Sequence, residues 1–164
     1  MNKKTKRLTL SAMLLVVMLI LGYVESMLPA FAIPGIKIGL SNSVLLFAVY
    51  MLDIPTAYVL MVLKVTLSGI LFSGFSAMMY AMAGGVLSLT VMVLMSRMKD
   101  LSPIAVSMVG GAAHNIGQVG LAIIILHTGQ LVYYMAVLVL VGLACGALTG
   151  ICAKQVMNHL KRIL

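Results

Sequence analysis

Apolar runs fill most of this chain, separated by short breaks of polar residues, Pro or Gly. About 20 helical residues span the roughly 30 Å hydrocarbon layer of a bilayer, so the length of each run sets the reading. A basic tail, Met1 to Arg7, precedes a first run from Leu8 to Leu28 in which Glu25 is the single charge. Pro29 and Pro34-Gly35 then exclude regular helix up to Lys37. A second, shorter helix is expected over 39–52, with Ser41 or Asn42 as its cap. Part of that crossing would fall to the irregular segment before it, which is tolerated at that depth only inside protein or beside a water-filled cavity. Asp53-Ile54-Pro55 reads as a tight turn into a third helix over 56–72. Further helices are expected over 76–95, 104–126 and 131–152, followed by a basic amphipathic stub at 153–164. The pattern predicts an all-α polytopic membrane protein of six transmembrane helices in one domain, 1–164.

Composition strengthens this reading. Charged residues make up 9% of the chain, against about 25% in soluble domains. A formal net charge of +8 would suit nucleic acid, but the basic residues stand at the ends of apolar runs, where they act as topology signals. No nucleic-acid partner is expected; the lipid bilayer is. Six helices place both termini on one side, with Lys3, Lys4, Lys6, Arg7, Arg97, Lys99, Lys154, Lys161 and Arg162, against Lys37 alone on the other. The positive-inside rule puts that side in the cytoplasm. Ala30-Phe31-Ala32 mimics a signal-peptide cleavage site, but the first run is about 21 residues against about 7–15 for a signal core, so a retained helix is expected. The fifteen methionines read as membrane packing. Cys145 and Cys152 lie two helical turns apart, too far for a disulfide with each other.

Against this apolar background a few polar groups stand out. Gly110-Gly111-Ala112-Ala113-His114-Asn115-Ile116-Gly117-Gln118-Val119-Gly120 places His114 and Gln118 on one helix face, bordered by Asn115. Polar groups at membrane depth are costly unless paired or lining a cavity. Interhelical hydrogen-bond glue and a binding site both meet that requirement. Lys64 is costlier still: a lysine at mid-span carries about 2.5–3.5 kcal/mol on insertion scales. Either Glu25 or an anionic ligand would compensate it. Lys37, in Pro34-Gly35-Ile36-Lys37-Ile38-Gly39-Leu40-Ser41-Asn42, precedes a helix start whose amides and dipole attract anions. Gly142, Gly146 and Gly150 give two GxxxG steps that suit close contact with another helix, in this chain or in a homodimer.

Several chemistries lack their residues. There is no P-loop, and Glu25, Asp53 and Asp100 are isolated, so no aspartate pair holds magnesium against a diphosphate. No paired His or Cys spacing suits a metal. Catalysis by this chain alone is not expected, and no catalytic cofactor or metal is implied.

The runs PGIKIGLSN, KVTLSGILF, AMAGGVLS and SMVGGAAHNIGQ, in this order, resemble the bacterial membrane family labelled heptaprenyl diphosphate synthase component I, also called the Gx transporter family. That family is similar in fold to the substrate-binding S components of energy-coupling factor vitamin transporters, whose cavity is capped by the connection between helices 1 and 2. The resemblance implies an inner-membrane protein and ligand contacts at Lys37, Asn42, Lys64, His114, Asn115 and Gln118. It also implies two contexts, quinone or prenyl synthesis and flavin-linked electron transfer outside the cytosol. The expected function is a transporter or S-component-like subunit for a small anionic cofactor, with a flavin (FMN, FAD or riboflavin) as leading ligand. The alternatives are an accessory subunit of prenyl diphosphate synthesis and a structural scaffold. A coupling subunit is the further partner implied, though Val16 stands four after Ala12 where S components often carry a second alanine. Lys64 stands where the motif leads one to expect arginine, which keeps charge but loses the bidentate fork.

Overall fold

The computed structural model describes residues 2–27 and 38–163. Lys37, the Pro34-Gly35 break and the Ala30-Phe31-Ala32 sequence lie outside the described residues. Among those described there are six α-helices: α1 (Lys3–Met27), α2 (Leu40–Met51), α3 (Ile54–Ser68), α4 (Phe75–Ser96), α5 (Pro103–Leu126) and α6 (Leu131–Ile163). A π-helical turn, Gly69–Ser73, prolongs α3. With that turn counted, five helices are long and apolar enough to cross a membrane. The exception is α2, whose twelve residues reach about 18 Å at 1.5 Å per residue.

Contacts fix the directions of the helices. Arg7 at the start of α1 lies 3.4 Å from Asp53 after the end of α2, while Glu25 near the end of α1 meets Gly39 before α2. Gly84 and Gly117 bring α4 and α5 together antiparallel; Gly111, Gly142, Gly146 and Gly150 do the same for α5 and α6. The first and last helices therefore begin and end at one end of the bundle, called here the tail end.

Three local expectations are corrected. Neither Ser41 nor Asn42 caps α2: the cap position is Gly39, left-handed at φ 78°, with no side-chain cap bond. A left-handed backbone suits glycine and leaves both polar side chains for tertiary use. The α-helix of α3 ends at Ser68, and Gly74 N–H reaches back to the Gly69 carbonyl at 2.9 Å, the five-residue bond of a π-turn. Finally, α6 does not stop at Cys152. No Gly or Pro follows Gly150, so the stub continues as helix to Ile163, with Ala153 and Met157 buried. At about 50 Å, α6 outruns the hydrocarbon layer.

Apolar packing is concentrated in the tail-end half, where Leu45, Leu46, Phe47 and Ala48 of α2 cluster with Leu60 and Met61 of α3, Leu89 and Met92 of α4 and Val106 of α5. Val119 and Leu138 seed a smaller cluster at the far end of α5 and α6. The glycines set how closely α5 and α6 approach: a Cβ on Gly146 would lie 2.5 Å from the Ser107 carbonyl oxygen. The GxxxG steps are thus satisfied within the chain. Outward faces carry large apolar side chains such as Val16 and Ile20 of α1, Val59 of α3 and Leu140 of α6, as a lipid-facing surface requires.

Candidate functional site

Inside the bundle, bordered by the tail-end core, lies a cavity of about 90 Å³ to which all six helices contribute. Each helix presents one stripe to it. Ala81, Gly85, Ser88 and Met92 of α4 share the spacing of Ser107, Gly111, His114 and Gln118 of α5. Steps of four, three and four residues keep a side chain on one helical face. On α3 the stripe is Met61, Lys64, Val65 and Ser68, continued by Phe72 and Ser73 of the π-turn.

Five of the six residues singled out by sequence line this cavity: Asn42, Lys64, His114, Asn115 and Gln118. Lys37, the sixth, lies outside the described residues. Lys64 Nζ donates to Asn42 Oδ1 at 3.2 Å, linking α3 to the first turn of α2. Glu25, only 6% exposed, lines the same cavity, and its carboxylate accepts the Gly39 N–H. The left-handed Gly39 presents that N–H to the end of α1. Both readings for Lys64, a carboxylate partner and an anionic ligand, therefore draw on groups lining one space.

His114 lies against α4 because residue 84 is glycine; a Cβ there would stand 2.6 Å from the His114 carbonyl oxygen and 3.1 Å from its ring. Asn115 donates one amide N–H to the Leu138 carbonyl at 2.5 Å, so this residue serves as glue between α5 and α6 while lining the cavity. Toward the tail end the walls are hydroxyl-rich, with Ser88, Ser107 and Thr149 all buried; Ser107 and Thr149 hydroxyls lie 3.1 Å apart. Sequence reasoning missed these three. The signal was present in the repeated spacing, since Ser88 falls on the Ala81–Gly85 stripe and Ser107 on the His114–Gln118 face.

Electrostatically the cavity is mixed, with Lys64 and Glu25 in its wall and His114 between helices. Drug-sized ligands occupy roughly 300–1,000 Å³. About 90 Å³ gives room in this conformation for a phosphate- or carboxylate-sized group with water, and not for a whole flavin ring system.

The family model for heptaprenyl diphosphate synthase component I matches residues 14–156, from the middle of α1 to the last turns of α6. The chain belongs to this family. Every described cavity residue falls inside the matched stretch, so the family's pattern and the polar cavity cover the same helices. The membership agrees with the sequence resemblance. No curated protein and no solved structure matches the chain.

Proposed function

We propose that this member of the heptaprenyl diphosphate synthase component I family is a membrane-embedded, S-component-like substrate-binding or transport subunit that takes up the anionic group of a small solute. The observation that supports this most is the convergence of Lys64, Asn42, His114 and Gln118 on one cavity among helices apolar enough to span a bilayer. An ammonium and amide groups at such depth supply donors to phosphate, diphosphate or carboxylate oxygens. The cavity volume favours a compact anionic group over a flavin ring, so a flavin would require a wider conformation. A coupling subunit would dock on an outer face, and both termini would lie in the cytoplasm.

The family description favours a second reading, an accessory subunit of heptaprenyl diphosphate synthesis. The same lysine would then meet a prenyl diphosphate. Mass spectrometry of small molecules extracted from the purified protein separates the two. A small soluble anion or flavin nucleotide supports transport, an isoprenoid diphosphate supports the accessory role, and the absence of both counts against a ligand site.

A further inference from the structure

Glu25 is the single acidic residue in the described spans, and it sits near the far end of α1 in the cavity wall. From the level of Gln118 to Ser107 the cavity follows α5 for about 16 Å at 1.5 Å per residue. It stops at Ser107 and Met92, each about one turn from the tail end of its helix. Polar side chains interrupt otherwise apolar walls along this course: Glu25, Asn42 and Lys64 at one end, His114 midway, Ser88, Ser107 and Thr149 at the other. One water needs about 10–15 Å³, so about 90 Å³ accommodates on the order of six, enough for a single file over this length. A space with this many hydrogen-bonding groups in its wall holds water, whereas cavities that stay dry have none.

We propose that this cavity is a hydrated proton path, running from the Glu25 carboxylate to the hydroxyls of Ser88, Ser107 and Thr149, in which Glu25 takes up and releases the proton. Uptake turns the carboxylate into a carboxylic acid whose carbonyl oxygen still accepts the Gly39 N–H; release returns the proton to the water file. The titratable groups that share the cavity with Glu25 are Lys64 from α3, His114 from α5 and Cys145 from α6. Among the described residues α2 and α4 contribute none, their lining side chains being neutral. An anion arriving beside Lys64 adds a second negative charge near Glu25, and protonation of Glu25 relieves the repulsion. Anion binding and proton uptake then favour each other by the same factor in both directions. This consequence rests on the proposed transport of an anion. Hydration and proton exchange do not, and they are measured on the protein without ligand.

Radiolytic hydroxyl-radical labelling of the chain in lipid nanodiscs tests the water. Met61 and Met92 line the cavity at 1% and 3% exposure, whereas Met157 is equally buried, at 4%, in the apolar core outside it. Met61 and Met92 should oxidise several-fold faster than Met157, and rates as slow as that of Met157 would overturn the proposal. Glu25 is the chain's one glutamate, so isotope-labelled glutamate supplied by cell-free synthesis marks its carboxyl infrared band with no mutation. That band should convert from carboxylate to carboxylic acid on acidification and shift at once in heavy water. A labelled carboxyl that resists exchange while Met61 and Met92 oxidise rapidly would show a wet cavity but no proton path, and would also overturn the proposal. Ser88→Val should slow oxidation of Met92 and leave Met61 unchanged; unchanged Met92 would remove Ser88 from the path.

Discussion

Lys64 of α3 donates its ammonium to the side-chain oxygen of Asn42 of α2 at 3.2 Å, joining two sequence motifs in one wall of the cavity. The donor is charged, and such bonds are stronger than neutral ones. Thermal unfolding of Lys64→Met, Asn42→Ala and the double variant should therefore show a coupling of about 1–2 kcal/mol. Simple additivity would mean that the contact contributes nothing to stability.

The same lysine is expected to meet the anion. Whatever anion is extracted with the protein should bind Lys64→Met at least about 2 kcal/mol, or roughly thirty-fold, more weakly. Equal affinity by calorimetry would remove Lys64 from the binding site.

Close packing of α5 on α6 predicts contrasting glycine variants. Leucine at Gly146 must displace Ser107 and Met108 backbone, so Gly146→Leu should lower stability by about 1–3 kcal/mol. Gly120 has nothing within 4 Å of a Cβ, and Gly120→Leu should be tolerated. Equal melting temperatures for the two variants would contradict this packing.

At the tail end, Asp53 caps α3 by accepting the Thr56 N–H at 2.9 Å; hydrogen bonding from the Thr56 side chain and then from this N–H holds its carboxyl below the ordinary carboxylate range, with Arg7 adding a smaller effect. A lowered folded-state value means that the stabilisation is complete above the ordinary range and is lost as pH falls through the lowered one. Asp53→Asn keeps an acceptor but has no charge to lose, so its acid destabilisation curve should be shallower than that of the parent chain. Superimposable curves would show that the charge of Asp53 does not contribute.

Topology follows from where the helices begin and end. Lys4, Lys6, Arg7, Arg97, Lys99 and Lys154 all belong to the tail end of the bundle. That end should be cytoplasmic. Single cysteines placed near either terminus of a variant lacking Cys145 and Cys152 should resist a membrane-impermeant thiol reagent in intact cells. Labelling of either terminus would reverse the orientation.

Legible in the sequence alone were the run of six helices, the approximate limits of all but α6, the shortness of α2, the basic character of one end and the shared face of His114 and Gln118. These are consequences of local periodicity and of Pro, Gly and charge placement, which act over a few residues. Tertiary structure decided which faces meet. The glycine row of α6 could have served a dimer, but the backbone of α5 fills it, because Gly111, Ser107 and Ile104 recur at matching intervals on the neighbouring helix. Asn115, legible as a polar residue, became a tie to the Leu138 carbonyl. Asn42 gave up its expected capping role to reach Lys64, since a left-handed Gly39 took the cap position and offered its N–H to Glu25. The spacing of Ser88 and Ser107 was legible, but that their faces and Thr149 meet in one cavity was decided only when three helices came together, because a hydroxyl in an apolar run reads alike whether it faces its own helix, a neighbour or water.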